Sequence, residues 1–354
     1  MMRLPHFLFE SPRSVAEAAE RLAAAPAGEA MLVAGGTDLL PNMKRRQQTP
    51  RTLIGLRRVD ELRQIANGDG LRIGAGVTLA ELVRDARCRP RDGGRPLADP
   101  YGALRQAAAH VATPQLRNMG TIGGNLCLDT RCNYYDQNYE WRKAIDFCMK
   151  KDGAICWVAT SSPRCLAVSS TDTAPALMAL GAEVTLVSAA GGERRIAVAD
   201  LFRNDGIHYL TRRHDEILTA VQLPRLDGWR SVYWKLRRRG AFDFPVLSVA
   251  AAVKIALDGT VERARVVLGA VASRPLEAAD AAAALVGRPL EDDAITSAAE
   301  RAAQPARPMD NTDFTLVWRK RVTRQFVGYA LRELRGEDMR EVRKTIGRQY
   351  ELWS

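Results

Sequence analysis

Four of the six cysteines lie in one segment and could together hold a metal centre. Cys132, Cys148, Cys156 and Cys165 are separated by 15, 7 and 8 residues, and no C-x2-C pair occurs among them. Zinc ribbons and bacterial ferredoxin clusters use closer spacing. In a reducing cytoplasm, clustered cysteines are more often metal ligands or redox groups than disulfides. The spacing leaves three interpretations open: an iron–sulfur cluster, a zinc site and unligated thiols.

The neighbours of these cysteines favour a cluster over a mixed Cys/His zinc site. No histidine occurs between residues 111 and 207. Arg131, Lys150, Lys151 and Arg164 stand beside the cysteines, and cations there would offset the negative charge of a four-thiolate cluster.

Two glycine-rich loops could hold a phosphorylated ligand. In "LVAGGTDLLPNMK" the pair Gly35-Gly36 directly follows an apolar strand, so successive backbone N–H groups can point at phosphate oxygens. The loop matches neither the Walker pattern nor G-x-G-x-x-G, and alone it favours a simple turn. The second loop, "TPQLRNMGTIGGNLC", combines Gly123 and Gly124 with hydroxyl and amide side chains. Together the two loops suggest a diphosphate held from both sides.

A third polar element, "SSTDTAPAL", places Asp172 at the start of a helix. Its carboxylate could cap that helix or accept a hydrogen bond from a sugar hydroxyl, and the sequence favours the cap.

The elements that must position these residues alternate between helix and strand in the first half of the chain. "SVAEAAERLAAA" opens with Ser14 and Glu17 at capping-box spacing, and Thr78 and Glu81 repeat it. The predicted strands are "AMLVAGG", "RTLIGL", "LRIGAG", "AEVTLVS", "RRIAV" and "EILTAVQL", and "VDELRQI", "YGALRQAAAHVA" and "TDTAPALMALG" are predicted to be helical.

The pattern changes after "LPRLDG" at 223–228, a predicted domain boundary. Two long apolar strands flank Asp258-Gly259, which indicates a hairpin. Three helical segments follow, and then a charged helical tail that is a candidate docking element.

Composition and charge limit the class of protein. A chain of 354 residues with 46% hydrophobic residues predicts two or three folded domains. The net charge of +11 is spread along the chain, which favours acidic partners or phosphorylated ligands over nucleic acid. No segment is typical of a signal peptide or a membrane span, so we expect a cytoplasmic protein.

The two loops and the Asp172 segment, in this order, resemble the FAD-binding subunits of the molybdenum hydroxylase family, the group of xanthine dehydrogenase and carbon monoxide dehydrogenase. The resemblance implies an α+β fold: a two-subdomain FAD-binding domain of the PCMH/vanillyl-alcohol-oxidase type with a cysteine-bearing insertion, then a C-terminal domain of an antiparallel sheet plus helices. The implied boundaries are 1–227 for the FAD-binding domain (subdomains about 1–60 and 61–227, insertion about 127–168), 228–335 for the C-terminal domain and 336–354 for the tail.

The resemblance also implies which residues bind FAD. They are Ala34, Gly35, Gly36, Thr37, Asp38, Leu39, Thr121, Ile122, Gly123, Gly124, Asn125, Asp172 and Lys235. Lys235, in "YWKLRRRGAFDFPVLSVAAAV", would lie near the flavin ring, where a cation suits the anionic reduced flavin. Without the resemblance, Lys235 would be interpreted as a surface cation.

The cysteine segment is similar, more narrowly, to an insertion in the flavin subunits of 4-hydroxybenzoyl-CoA reductases, which binds an extra [4Fe–4S] cluster. This similarity implies Cys132, Cys148, Cys156 and Cys165 as the cluster ligands. It leaves Cys127 supernumerary and Cys88 a small buried apolar residue.

The implied function is electron transfer, with no catalytic residue in this chain. A large molybdopterin subunit would remove the phenolic hydroxyl of an aryl-CoA in aromatic degradation, and a small subunit would carry two [2Fe–2S] clusters. Electrons from a ferredoxin-like donor would pass through the [4Fe–4S] cluster and FAD to the small subunit, in a dimer of heterotrimers.

Three alternatives stay open at this point. The first is an oxidative molybdenum hydroxylase subunit with the opposite electron flow, because sequence does not set that direction. The second is a zinc-stabilised nucleic-acid-binding protein. The third, a self-sufficient flavin oxidase, needs its own acid or base, and the four scattered histidines, His6, His110, His208 and His214, are better interpreted as packing or surface residues.

Overall fold

The structure, a computed structural model, describes residues 3–88, 99–240 and 242–349. These residues form three sheets with helices packed around them, which confirms the α+β class expected from the sequence. No helix in this part of the chain is long and apolar enough to cross a bilayer.

The first sheet is small and parallel, in the order β1-β3-β2. Its strands are β1 (Leu8–Glu10), β2 (Ala30–Val33) and β3 (Thr52–Gly55). Helix α1 (Val15–Ala24) begins at Ser14, whose Oγ accepts a hydrogen bond from the Glu17 N–H. The predicted capping box is only half formed, because the Glu17 carboxylate accepts from the Arg13 N–H instead of from Ser14. Helix α2 (Leu39–Lys44) follows β2.

The second sheet has five antiparallel strands in the order β4-β5-β8-β6-β7. They are β4 (Ile65–Gly68), β5 (Gly70–Gly74), β6 (Glu183–Ser188), β7 (Gly192–Ala197) and β8 (Ile217–Leu223). The described α-helices between β5 and β6 in the chain are α3 (Leu79–Arg84), α4 (Gly102–His110), α5 (Pro114–Arg117), α6 (Ile122–Leu126), α7 (Tyr139–Ala144) and α8 (Thr173–Ala179). The capping box predicted at Thr78 and Glu81 is complete.

The predicted helix "VDELRQI" is wrong in its second half. A 3-10 turn covers Asp60–Arg63, and Ile65 already begins β4. Pairing of β4 with β5 across a tight turn supplies hydrogen bonds that the local helical pattern cannot match.

The third sheet is antiparallel, in the order β12-β11-β10-β9. Its strands are β9 (Trp229–Leu236), β10 (Leu247–Ile255), β11 (Val261–Gly269) and β12 (Leu276–Glu277). The predicted hairpin at Asp258-Gly259 is confirmed, with Gly259 at φ 89°. The three predicted helices are α9 (Ala279–Ala283), α10 (Asp292–Ala303) and α11 (Leu316–Arg335).

Both faces of this third sheet are buried, and the alternation of side chains decides which core each residue joins. Val232 and Trp234 of β9 pack into the core with α10 and α11. Tyr233, between them, packs into the core with α4 and α8. Lys235 therefore also points towards the second sheet and its helices, where the glycine loops lie.

The charged tail forms helix α12 (Arg340–Gln349), and its last residues, 350–354, lie outside the described part of the chain. The Arg343 guanidinium lies 3.9 Å from the centroid of the Trp234 ring and pairs with Glu333 at 2.6 Å. The described part of the tail thus docks on its own chain.

Candidate functional site

A cleft of about 530 Å³ opens where the two glycine loops meet, a volume typical of cofactor sites. Most of the predicted FAD residues line it: Ala34, Gly35, Gly36, Thr37, Asp38, Leu39, Thr121, Gly124, Asn125 and Asp172. A larger groove of about 750 Å³ beside α10 and α11 is more open, and its polar lining consists mainly of side chains such as Lys320 and Arg324. It lacks the convergent buried polar groups of the cleft.

The backbone of the first loop at Gly35 packs against the backbone of the second loop with no side chain between them. A Cβ on Gly35 would lie 1.9 Å from the carbonyl oxygen of Met119 in the second loop, so only glycine fits there. Two other predicted FAD residues serve this framework and do not line the cleft. Ile122 is fully buried in the core, and Gly123 packs against Ala75.

Asn125 joins the second loop to the start of α8. Its Oδ1 accepts hydrogen bonds from the Thr171 hydroxyl at 2.8 Å and from the Thr173 N–H at 3.1 Å. Thr171 Oγ1 accepts in turn from the Ala174 N–H. The first turn of α8 is therefore capped by Asn125 and Thr171.

The expectation that Asp172 caps this helix is wrong. Its carboxylate makes no cap hydrogen bond and points across to β9, because Asn125 and Thr171 already occupy the free N–H groups. Asp172 Oδ1 accepts from the Tyr233 hydroxyl at 2.6 Å, and Oδ2 accepts from Lys235 Nζ at 3.0 Å.

Lys235 is not a surface cation and does not itself line the cleft. Its side chain is 1% exposed, and Nζ donates to Asp172 and to the His110 carbonyl oxygen at 3.0 Å. Burial raises the pKa of Asp172 and lowers the pKa of Lys235, and the attraction between the two charges opposes both shifts. The cation therefore acts on the cleft through Asp172.

His110 belongs to the same framework and is not a catalytic group at the cleft wall. Its Nδ1 lies 2.8 Å from the Gln106 carbonyl oxygen and donates to it. Burial lowers the pKa of His110 to about 4, and the nearby Lys235 charge adds to that shift.

Sequence reasoning missed several residues that line the cleft. They include Gln48, Asp129, Arg131, Ser170, Tyr209, Phe242 and Phe244. Arg131 was assigned to the cysteines, yet it pairs with Asp38 of the first loop and lies 4.7 Å from the Phe244 ring centroid. The sequence signal that could have identified Asp129 and Arg131 as cleft residues is their position directly after the second loop.

The cleft fits a flavin dinucleotide in chemistry as well as in size. The Ser170 hydroxyl is buried at its edge without a hydrogen-bond partner in the protein, as expected of a group that contacts a ligand. The Gly35 backbone, bare of any side chain, faces the same space.

The four cysteines of the insertion are buried around one small pocket. Cys132, Cys148, Cys156 and Cys165 all line it, together with Tyr135, Lys150, Trp157 and Ala167 among others. Among the described residues, no three His, Cys, Asp or Glu side chains meet at distances suited to a single metal ion. Burial raises the pKa of Cys132 to about 12 and that of Cys165 to about 11, and the Lys150 charge opposes the rise at Cys165.

Only one of the four cations expected beside the cysteines lines this pocket. Lys150 is that cation, with a side chain 6% exposed. Arg131 forms an ion pair with Asp38 of the first loop. Lys151 is partly exposed and pairs with Asp152. Arg164 donates to the Asn204 carbonyl oxygen. Cys127 lies apart, half-buried at the edge of the cleft, and Cys88 is fully buried as expected.

Two families of known domains match the chain. Residues 5–226 match the FAD-binding domain in molybdopterin dehydrogenases, and residues 231–334 match the C-terminal domain of the carbon monoxide dehydrogenase flavoprotein.

Whole-chain relatives give the same result. The chain is 36% identical over 290 residues to the FAD-binding subunit PaoB of an aldehyde oxidoreductase of Escherichia coli, covering 78% of this chain and 85% of that subunit. It is 30% identical over 308 residues to the carbon monoxide dehydrogenase medium chain of Afipia carboxidovorans, covering 85% and 88%.

A solved structure is similar along nearly the full length. It is a carbon monoxide dehydrogenase of Hydrogenophaga pseudoflava that lacks the Mo-pyranopterin moiety of its cofactor, with a TM-score of 0.74, 26% identity and coverage of 94% of this chain and 98% of that one. The narrower resemblance to 4-hydroxybenzoyl-CoA reductases stays a prediction. The chain belongs to the FAD-binding medium subunits of the molybdenum hydroxylase family, an oxidoreductase family that includes this aldehyde oxidoreductase and carbon monoxide dehydrogenase.

Proposed function

We propose that this chain is the electron-transfer subunit of an oxidative molybdenum hydroxylase, carrying FAD in the cleft and a [4Fe–4S] cluster in the cysteine pocket. The observation that carries the proposal is the position of a pocket with four buried cysteines directly behind the flavin cleft. The relatives named for aldehyde and carbon monoxide oxidation favour the oxidative direction over the reductive one.

The residues of the cleft have distinct roles in this proposal. Bound FAD would supply reversible two-electron chemistry. Backbone N–H groups of Gly35 and Gly36, with the Thr37 hydroxyl, would hold its diphosphate, and Ser170 would donate or accept one further hydrogen bond. Asp172 would contact the cofactor while Lys235 fixes its carboxylate and supplies a compensating charge.

The cysteine pocket would bind its cluster through Cys132, Cys148, Cys156 and Cys165. Four thiolates in a buried site need compensating positive charge, which Lys150 supplies from the same pocket.

We also propose the domain boundary at 223–228, because β8 ends at Leu223 and β9 begins at Trp229.

The partners follow from the family. The relatives called medium chains imply small and large chains beside them. We propose a small subunit with two [2Fe–2S] clusters, a large molybdopterin subunit and an external ferredoxin-like carrier, assembled in the cytoplasm as a dimer of heterotrimers.

A second candidate is the flavin subunit of a 4-hydroxybenzoyl-CoA reductase. The four-cysteine insertion, about 127–168, favours it, because the resemblance attributes such an insertion to those enzymes. In that case electrons would enter at the cluster and leave through FAD.

The cofactor content tests the main proposal. Complex purified without oxygen should contain about four irons and one FAD for this chain beyond the partners' cofactors. Cys148→Ser should remove these four irons and keep FAD, whereas Cys127→Ser, outside the pocket, should keep the iron. Zinc in place of iron, or an intact cluster signal in Cys148→Ser, would contradict the ligand assignment.

Substrate assays test the direction. We expect an aldehyde or another oxidisable substrate to bleach the flavin of the whole complex under anaerobic conditions. Dehydroxylation of an aryl-CoA with reduced ferredoxin, without bleaching by any oxidisable substrate, would instead establish the second candidate.

A further inference from the structure

The cysteine pocket and the flavin cleft share a wall of four side chains. Tyr135 and Lys150 line the pocket, whereas Asp129 and Tyr209 line the cleft. Tyr135 OH donates to Asp129 Oδ2 at 3.0 Å, and Lys150 Nζ donates to Asp129 Oδ1 at 2.8 Å. The wall is therefore one connected unit with one side in each site.

Lys150 is held in a single position. Besides Asp129, its ammonium donates to Thr130 Oγ1 at 2.8 Å and to the Gly206 carbonyl oxygen at 2.6 Å, so all three protons are used. The ammonium also lies 4.8 Å from the Tyr135 ring centroid and 5.4 Å from that of Tyr209, which adds cation–π attraction from both sides.

Asp129 is equally fixed on the cleft side. Besides the Tyr135 hydroxyl and Lys150, its carboxylate accepts from Gln48 Nε2 at 3.2 Å. Both side chains of the pair are nearly buried, with 6% of Lys150 and 5% of Asp129 exposed. Water therefore screens their charges poorly, and the pair acts as a fixed dipole across the wall.

We propose that the Lys150–Asp129 ion pair biases electron transfer from the flavin cleft to the cysteine pocket. This inference rests on the proposed cofactors. A cation beside the cluster favours its reduced, more negative state, and a carboxylate beside FAD disfavours the reduced flavin. The dipole thus raises the reduction potential of the cluster relative to that of FAD.

The pair would bias a transfer of single electrons from FAD to the cluster. One electron leaves reduced FAD and one is gained by the oxidised cluster, with no bond made between them. Two such transfers would return anionic reduced FAD to its oxidised form and release its one proton to solvent. Between them, a one-electron acceptor protein reoxidises the cluster. Asp129 and Lys150 exchange no electron and act only through their charges.

The test uses the whole complex and measures two midpoint potentials. The cluster is titrated by EPR spectroscopy and FAD by absorbance, after iron and flavin contents are shown to match those of the wild type. In the charge-neutral variant Lys150→Met/Asp129→Asn, the equilibrium constant for one-electron transfer from FAD to the cluster should fall about tenfold, which is about 59 mV in the potential gap.

Three single variants separate charge from packing. Lys150→Arg keeps the cation and should keep the gap, and Lys151→Met removes a neighbouring cation outside the pocket and should also keep it. Asp129→Asn should raise the FAD potential more than the cluster potential. The inference is overturned if the difference between the cluster and FAD midpoint potentials is unchanged in the double variant. It is also overturned if that difference is lost in Lys150→Arg. A wild-type complex without a cluster signal instead overturns the proposed function.

Discussion

The flavin cleft lies where regular elements end, whereas the cysteine pocket lies in a segment with little regular structure. The first cleft loop follows β2, the second ends in the short helix α6, and the large core around the second sheet holds both in place. Between Asp129 and Val168 the chain forms only one helix, α7. The apolar cluster around the pocket is small: Cys132, Tyr135, Cys148, Cys165 and Ala167, with a few partly buried neighbours.

The backbone of the cysteine segment is also strained. Asp146, Phe147 and Asp152 have φ values of 58°, 59° and 68°, a region that costs a residue other than glycine about 1 kcal/mol or more. From this difference we expect that packing preforms the cleft, whereas the pocket would need its proposed cluster to become ordered. Four predictions test this contrast, in order of decreasing effect.

Gly35→Ala should destroy the cleft and spare the cysteine pocket. The new Cβ would clash with the Met119 carbonyl oxygen, which is backbone and cannot turn away, so we expect a loss above about 4 kcal/mol and no bound flavin. Flavin absorbance and iron content measure the two sites. Gly68→Ala, where a Cβ meets nothing within 4 Å, is the control. Retained flavin in Gly35→Ala would show that the loop contact does not form the cleft.

Lys235→Met should destabilise the cleft framework by about 3 to 5 kcal/mol, because it leaves the Asp172 carboxylate buried without its cation. Thermal unfolding of the FAD-depleted protein measures this loss. Lys235→Met combined with Asp172→Asn removes both charges and should recover much of the stability. If the double variant is no more stable than the single one, the ion pair is not the cause.

Removal of the proposed [4Fe–4S] cluster should loosen the cysteine segment and leave the cleft ordered. We expect amide hydrogen exchange in residues 131–168 to accelerate about 100-fold, the effect of losing a ligand present at 100 times its Kd, or about 2.7 kcal/mol. Cys148→Ser and iron chelation should give the same pattern. Equal acceleration around the Gly35 loop would mean that the two sites fold as one unit.

Acid should destabilise the cleft framework through His110. Its folded pKa of about 4 lies below the value of 6.5 expected in the unfolded chain, so the stability that it contributes is present above 6.5 and is lost as the pH falls towards 4. Between about pH 7 and pH 5 the loss should be about 2 kcal/mol. In His110→Gln the slope of stability against pH should be shallower over this window. An unchanged slope would assign the acid sensitivity to other groups.

Much of the fold could be predicted from local patterns. The hairpin at Asp258-Gly259 and the complete capping box at Thr78 were correct because a turn or a helix start is decided within a few residues. Strand β4 was missed because pairing with β5, and not local propensity, decides its conformation. The glycine loops were located correctly, yet which of their residues face the cleft depends on packing against Met119 and Ala75.

The sequence by itself determined which chemical groups are present and their order: two glycine loops, four cysteines, an aspartate and a lysine. Residue type and short spacing encode these features directly. Only the tertiary structure decided that Asp172 binds Lys235 instead of capping its helix, and that Lys150 alone among four cations faces the cysteine pocket. Such choices depend on segments far apart in the chain, because strand register and core packing set the direction of each side chain.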